Sequence, residues 1–128
     1  MAFSVLIVDD CSAMQTVIRR ILGISGFDVD ACYFASDGEE ALAILHSHHV
    51  SIVISDVNMP RLDGEGMLRR ITEDKDLCHV PVVMVSSDAT ANRADRLLSM
   101  GAKAYLVKPF RPHEFRDQLE RVLECVHA

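Results

Sequence analysis

Five short apolar runs alternate along the chain with segments whose apolar residues recur at helical spacing. The runs cover residues 4–8, 29–34, 52–54, 81–85 and 104–107. Short runs rich in Val and Ile predict buried strands. Strands that alternate with helices over short loops favour a parallel sheet, because each crossover helix then covers one face of that sheet. The pattern therefore predicts a doubly wound α/β fold with helices on both faces.

Five helices are predicted, one after each strand. Ser12 can cap the first helix, with Gln15 three residues later as in a capping box. The apolar face expected for this helix consists of Met14, Val17, Ile18, Ile21 and Leu22, and Gly23 and Gly26 are expected to end it. The second helix is predicted to start at Ser36 and Asp37. The other three are predicted to cover residues 64–72, 91–100 and 112–126.

Length, charge and cysteine usage limit the class of protein. The 128 residues predict one domain, residues 1–128, and the formal net charge of −6 disfavours direct binding to nucleic acid or to an anionic membrane. We expect no signal peptide, and no apolar run approaches the ~20 residues of a membrane span. Four cysteines without a CxxC pair favour reduced thiols and a cytoplasmic protein; they are Cys11, Cys32, Cys78 and Cys125.

Asp56 follows the third apolar run within the stretch SIVISDVNMPRLDG, residues 51–64. Pro60 cannot donate to a strand ladder, so the strand must end before it. Asp56 is therefore expected at the carboxyl end of a central strand, where open α/β sheets bind their ligands. An aspartate there more commonly only caps a turn, so Asp56 alone does not decide between the two interpretations.

Polar side chains end four of the five predicted strands: Asp9 and Asp10, Asp56, Ser86 and Lys108. Because parallel strands end at the same edge of a sheet, these side chains should meet. Three carboxylates in one crevice repel one another, and a hard divalent cation such as Mg²⁺ relieves that repulsion. A metal, a lysine and a hydroxyl around one carboxylate suit phosphoryl transfer with Asp56 as nucleophile. Each residue alone could be a helix cap or a solvated side chain, but the four strand ends together favour the functional interpretation.

Four motifs carry a family resemblance: VLIVDD at residues 5–10, ISDVNMPRLDG at 54–64, VVMVSS at 82–87 and AYLVKPF at 104–110. In this order they resemble the receiver domains of two-component response regulators, the CheY-like family. The resemblance implies a flavodoxin-like fold of five parallel strands in the order 2-1-3-4-5. It also implies a signalling protein that catalyses only its own phosphorylation and autodephosphorylation.

The resemblance further implies which residues act on the phosphoryl group. Asp56 would accept it from a histidine kinase or a histidine phosphotransfer protein. Mg²⁺ would be held by Asp10, Asp56 and the backbone carbonyl of Asn58, with Asp9 contributing through water. Lys108 would be the lysine of the family motif.

A conformational switch is implied in the same way, with Ser86 as the switch hydroxyl and Tyr105 as the switch aromatic. The Lys108–Pro109 bond would be cis. The output surface would be formed by the fourth helix, fifth strand and fifth helix, and would bind a downstream protein or a second copy in a dimer. Its expected exposed basic residues are Arg93, Arg96, Lys103 and Arg111.

The sequence departs from the family pattern at Ser87, where the family usually has Ala or Gly, and the next residue is Asp88. Three other classes of protein share parts of this pattern. An aspartate-nucleophile phosphatase is disfavoured because Asn58 stands where its DxD motif needs a second acid. A flavin-binding domain is disfavoured because Asp9 and Asp10 would repel a phosphate. A pseudo-receiver that serves only as an unphosphorylated scaffold stays as an alternative.

Overall fold

The computed structural model describes the backbone of residues 3–127 and the side chains of residues 3–124. Within these residues five strands alternate with five helices. The strands are β1 (Phe3–Val8), β2 (Val29–Ala35), β3 (Ile52–Asp56), β4 (Val82–Ser86) and β5 (Ala104–Val107). The helices are α1 (Ser12–Ile24), α2 (Gly38–Ser47), α3 (Gly64–Glu73), α4 (Ala91–Ser99) and α5 (Pro112–His127).

The strands form one parallel sheet in the order β2-β1-β3-β4-β5, which confirms the predicted fold and strand order. Val8 at the end of β1 is level with Ser55, one residue before Asp56. Ser86 at the end of β4 is level with Val107, one residue before Lys108. This register brings the polar strand ends to the same edge of the sheet.

Two apolar clusters lie on opposite faces of the sheet, because successive strand side chains point to opposite sides. The α1/α5 cluster contains Val5 and Ile7 of β1, and the α2–α4 cluster contains Leu6 and Val8. Helix residues of the α1/α5 cluster include Ile18, Leu22, Phe115 and Leu119. Those of the α2–α4 cluster include Ala41, Met67, Leu68, Ile71 and Leu97. No helix within the described part of the chain has the length and apolarity that crossing a bilayer requires.

The start of α1 differs from the prediction. Cys11 is the N-cap and makes no side-chain capping bond, while Ser12 is already helical. Gln15 does not complete a capping box; its amide nitrogen donates to the carbonyl oxygens of Asp9 at 2.8 Å and Ala35 at 3.1 Å. Val17, predicted on the buried face, is 46% exposed. The capping-box prediction was wrong because the ends of two neighbouring strands offer Gln15 carbonyl acceptors that sequence spacing does not show.

The remaining bounds lie within two residues of the predicted ones, as expected for fraying ends. Two helices have aspartate caps: Asp37 accepts from the Glu40 N–H at 2.9 Å, and Asp63 accepts from the Gly66 N–H at 2.8 Å. These bonds satisfy backbone donors that the first helical turn leaves free. Asp63 thus fixes where α3 begins after the loop that follows Asp56.

Candidate active site

Three carboxylates meet at the carboxyl edge of the sheet. Asp9, Asp10 and Asp56 each offer an oxygen, and these oxygens lie within 4.8 Å of one another. Asp9 and Asp10 follow β1, and Asp56 ends the neighbouring strand β3. The structure thus brings together the three acids singled out in the sequence.

Asp9 is the most enclosed of the three, with 2% of its surface exposed. Its Oδ1 accepts a hydrogen bond from the Cys11 N–H at 2.9 Å. Its Oδ2 lies 3.4 Å from Nζ of Lys108. A backbone donor and an ammonium group therefore compensate this buried charge, as a buried carboxylate requires.

Lys108 links two of the acids. Its Nζ lies 3.4 Å from Asp9 and 3.6 Å from Oδ1 of Asp56. The Lys108 N–H donates to the carbonyl oxygen of Ser86 at 2.8 Å, and this bond aligns the end of β5 with the end of β4. The Lys108–Pro109 bond is cis. The ammonium group of Lys108 is thus directed into the carboxylate cluster.

Burial raises the pKa of Asp56, and the neighbouring Asp9 raises it further, while Lys108 and the Val57 N–H act in the opposite direction. The Val57 N–H donates to Oδ1 of Asp56 at 2.8 Å. Three carboxylates and one ammonium group leave the cluster with two excess negative charges when all are ionised. Carboxylate oxygens that share such an excess are the ligands that Mg²⁺ prefers. The donor set therefore fits a hard divalent cation.

The raised pKa gives a prediction for stability without divalent cations. A folded-state pKa above the unfolded value means that protonated Asp56 favours the fold, and this contribution is lost as the pH rises through the folded pKa. Asp56→Asn cannot ionise, so at pH 7 in EDTA it should unfold at a higher temperature than the wild-type protein. The difference should shrink as the pH approaches about 4, near the unfolded pKa. Thermal unfolding followed by circular dichroism tests this; a less stable variant at pH 7 would contradict it.

Ser86 and Tyr105 share one neighbour, Asp88. Ser86 is 1% exposed, and its Oγ accepts from the Asp88 N–H at 3.1 Å. The hydroxyl of half-buried Tyr105 donates to the Asp88 carbonyl at 2.5 Å. The Asp88 carboxylate accepts from the Thr90 N–H at 2.9 Å, and this bond lowers its pKa. Both side chains are thus tied to the loop between β4 and α4.

The predicted basic patch is exposed at three of its four residues, and one of these three is paired with an acid. Arg96 is paired with Glu65 on α3, at 2.7 Å from Nε and 3.1 Å from Nη2. Arg93 is only partly exposed, whereas Arg96, Lys103 and Arg111 are exposed as predicted. The hydrogen bond from Arg96 and the nearby charge hold the pKa of Glu65 below its usual value. Packing of α3 beside α4 supplies this acid, and spacing along the sequence does not reveal it.

Sequence reasoning missed two backbone features at the site. Val57 supplies an N–H donor to Asp56, and Gly64 at the start of α3 donates to the Val57 carbonyl at 2.8 Å. The hydrogen bond from Gly64 had a signal in the sequence: the DG pair at residues 63–64 is an aspartate cap followed by a residue without a side chain. Asn58 and Ser87 are exposed, and Asn58 lies two residues beyond Asp56.

The comparisons with known proteins agree with this geometry. Residues 5–120 match the family model described as the response regulator receiver domain. The chain is 36% identical over 124 residues to the chemotaxis protein CheY of Pseudomonas aeruginosa, covering 97% of this chain and 98% of that protein. It is 40% identical over 121 residues to the probable transcriptional regulator ycf27 of Guillardia theta, covering 93% of this chain but only 44% of that protein.

Solved structures show the same fold. The Vibrio cholerae chemotaxis response regulator CheY4 matches with a TM-score of 0.84 at 29% identity, covering 95% of this chain and 99% of that one. A chain of the CheX-CheY-BeF3-Mg+2 complex from Borrelia burgdorferi matches with a TM-score of 0.84 at 31% identity, covering 94% and 88%. The chain belongs to the response regulator receiver domain family. Receiver domains act in two-component signalling, interact with kinases and downstream targets, and generally bind Mg²⁺ at an acidic pocket.

Proposed function

We propose that this protein is the phosphoacceptor of a two-component phosphorelay, and that Asp56 receives the phosphoryl group from a histidine kinase or a histidine phosphotransfer protein. The observation that carries the proposal is the cluster of Asp9, Asp10 and Asp56 with Lys108 Nζ 3.6 Å from Asp56. A carboxylate can attack a negatively charged phosphoryl group only where cations offset the repulsion. Lys108 supplies one such cation beside the attacking group.

In the proposed transfer, a carboxylate oxygen of Asp56 attacks the phosphorus atom of a phosphohistidine. The P–N bond breaks as the P–O bond forms, and the imidazole nitrogen keeps the electron pair of the broken bond. We assign the attack to Oδ2, because Oδ1 already accepts the Val57 N–H bond. The product is an aspartyl phosphate on Asp56, and the protein catalyses only this reaction and its own dephosphorylation.

Mg²⁺ is the proposed cofactor, held by Asp10, Asp56 and the Asn58 carbonyl, with Asp9 contributing through water. When bound, it would neutralise charge on the phosphoryl oxygens. The close approach of the three carboxylates supports this assignment. Lys108 stays paired with Asp9 and would stabilise the charge that develops on the transferred group.

Ser86 and Tyr105 are the proposed switch. A phosphoryl group on Asp56 adds negative charge and acceptor oxygens near the end of β4. Ser86 would turn its hydroxyl from the Asp88 N–H to a phosphoryl oxygen. The loop holding Asp88 would then loosen, and Tyr105 would give up its bond to the Asp88 carbonyl and move behind β4. This change would alter the surface formed by α4, β5 and α5, the proposed docking site for a downstream protein or a second copy.

The proposal also covers the extent of the domain, its location and the surfaces that it does not bind. We assign residues 1–128 to one receiver domain that works in the cytoplasm without binding nucleic acid or membrane directly. The net charge of −6 supports the last point, since both surfaces are anionic.

The test of the proposal is uptake of a phosphoryl group from a small donor. Wild-type protein incubated with acetyl phosphate and Mg²⁺ should gain one phosphoryl group in its intact-mass spectrum. The same mixture with excess EDTA should leave the mass unchanged. An unmodified mass in the presence of Mg²⁺ and a large excess of donor would refute the assignment.

The switch gives a separate prediction. Ser86→Ala should still be phosphorylated, but the phosphorylation-dependent amide shift changes in α4 and β5 should shrink, with a loss of coupling of about 1–2 kcal/mol. Tyr105→Ala should have a similar effect. Tyr105→Phe keeps the ring and removes the hydrogen bond to Asp88. This matched variant separates the contribution of the ring from that of the hydrogen bond. Undiminished shift changes in both alanine variants would mean that output does not pass through these residues.

A further inference from the structure

The loop between β3 and α3, residues 57–63, is fastened to the start of α2 by an ion pair. Asp37 is fully buried, although it is a carboxylate. Its Oδ2 accepts a hydrogen bond from Nε of Arg61 at 2.7 Å and also contacts Nη2 of that residue. Arg61 further pairs with Glu40 at 3.2 Å. Because Arg61 belongs to the loop and Asp37 caps α2, the pair joins two segments that are 24 residues apart.

A backbone hydrogen bond also joins the loop to the start of α2. The Gly38 N–H donates to the Leu62 carbonyl at 2.8 Å, and a Cβ on Gly38 would lie 2.8 Å from that same oxygen. Arg61 has a φ of 61°, a left-handed conformation that is unfavourable for a residue with a Cβ. Such a conformation persists only where its surroundings enforce it. Here the surroundings are the buried carboxylate and the Gly38–Leu62 hydrogen bond.

We infer that Asp37 and Arg61 are positioning residues for the loop that follows the phosphoacceptor. Only four residues separate Arg61 from Asp56, and Asn58 is one of them. At the other end of the loop, the Gly64 N–H holds the Val57 carbonyl. Fixing the loop at both points gives the Asn58 carbonyl a defined place relative to the Asp56 carboxylate. The inference rests on the proposed function, because that carbonyl is assigned there as a Mg²⁺ ligand.

The variant that tests the inference is Arg61→Gly. It removes the guanidinium group but accepts a φ of 61° without steric cost, so it should fold. The matched control is Arg70→Ala. Arg70 also joins α3 to α2, through a 3.1 Å contact with Glu39, but it lies outside the loop. Both partners of that pair are about half-exposed, so its removal should have little effect.

Two measurements are made on each protein. Amide hydrogen exchange of Gly38 in metal-free protein reports directly on the Gly38–Leu62 bond. Titration with Mg²⁺ followed by amide shifts gives the dissociation constant of the metal without any need for phosphorylation. Arg61→Gly should speed Gly38 exchange and raise the Mg²⁺ dissociation constant, each by about tenfold, as loss of a supporting contact around a metal site does. Arg70→Ala should stay close to the wild-type protein in both.

Two further variants strengthen the test. Asp37→Asn keeps an acceptor for the Glu40 N–H but loses the charge, and should resemble Arg61→Gly. Arg61→Lys keeps a cation near Asp37. Compared with Arg61→Gly, it should therefore show slower Gly38 exchange and a lower Mg²⁺ dissociation constant. Wild-type Gly38 exchange or wild-type Mg²⁺ affinity in Arg61→Gly would overturn the inference. A wild-type protein that binds no Mg²⁺ would instead refute the proposed function, and the exchange rates alone would then decide whether the pair holds the loop.

Discussion

Asp56→Asn protein will take up no phosphoryl group under conditions that label the wild-type protein with acetyl phosphate. An amide oxygen is not a nucleophile of this kind. Asp9 is buried and paired with Lys108, so it is poorly placed to attack a donor from solvent. Intact-mass spectra recorded over the labelling time course provide the measurement. We expect complete loss of phosphoryl uptake in this variant, and not merely slower uptake.

The control for this experiment is Asp117→Asn. Asp117 is an exposed carboxylate on α5 that pairs with Arg116 at 3.6 Å, outside the acidic cluster. It should be labelled as the wild-type protein is. Circular dichroism of Asp56→Asn under the labelling conditions should show a folded protein, which would exclude unfolding as the reason for its failure to react. Equal labelling of Asp56→Asn and the wild-type protein would place the phosphoryl group on another residue and remove the basis of the proposed function.

Gly64→Ala should lose both stability and phosphorylation. A Cβ at this position would overlap the carbonyl oxygen of Asp56 and would lie 2.8 Å from Cα of Val57. Both are backbone atoms, so neither contact can be relieved by a side-chain rotation. Either the end of β3 or the start of α3 must move, and we expect a loss of about 3 kcal/mol in the free energy of unfolding. Urea denaturation measures this loss, and intact-mass labelling measures the effect on Asp56.

Gly23→Ala is the matched substitution. Gly23 is an exposed residue of α1, and the nearest atom to a Cβ there would be Nη1 of Arg19 at 3.8 Å. Alanine in a helix is favoured over glycine, so this variant should be more stable by about 0.5–1 kcal/mol. It should also be labelled at the wild-type rate. If Gly64→Ala behaved in the same way, the close contact between α3 and the end of β3 would have no consequence for folding or reaction.

The fold could be predicted because strand and helix periods are local properties of the sequence. The parallel arrangement follows from the alternation itself, and it requires that strand ends share one edge. The meeting of Asp9, Asp10 and Asp56 could be anticipated for that reason, without knowledge of any loop. The strand order 2-1-3-4-5 came from the family resemblance, since alternation alone permits several orders.

Contacts between neighbouring elements could not be predicted in this way. The spacing of Ser12 and Gln15 predicts a capping box, yet Gln15 bonds to two strand-end carbonyls. Arg96 is exposed as predicted, but its pairing with Glu65 on the adjacent helix has no signal in the sequence. Asp37 was recognised as a helix start, but its ion pair with Arg61 depends on how the β3–α3 loop folds back. Helical spacing describes one helix at a time and carries no information on which acid lies opposite which base.

The division of the core by the sheet has a consequence for how such a protein can diverge. A change of side-chain volume in the α1/α5 cluster is accommodated by residues on that face, because the sheet backbone separates it from the α2–α4 cluster. Substitutions on the two faces can therefore accumulate independently during evolution. β5 follows the same rule, since Tyr105 packs on the α2–α4 cluster while Ala104 and Leu106 pack on the α1/α5 cluster. The face of β5 that carries Tyr105 can therefore change without repacking of α1 and α5.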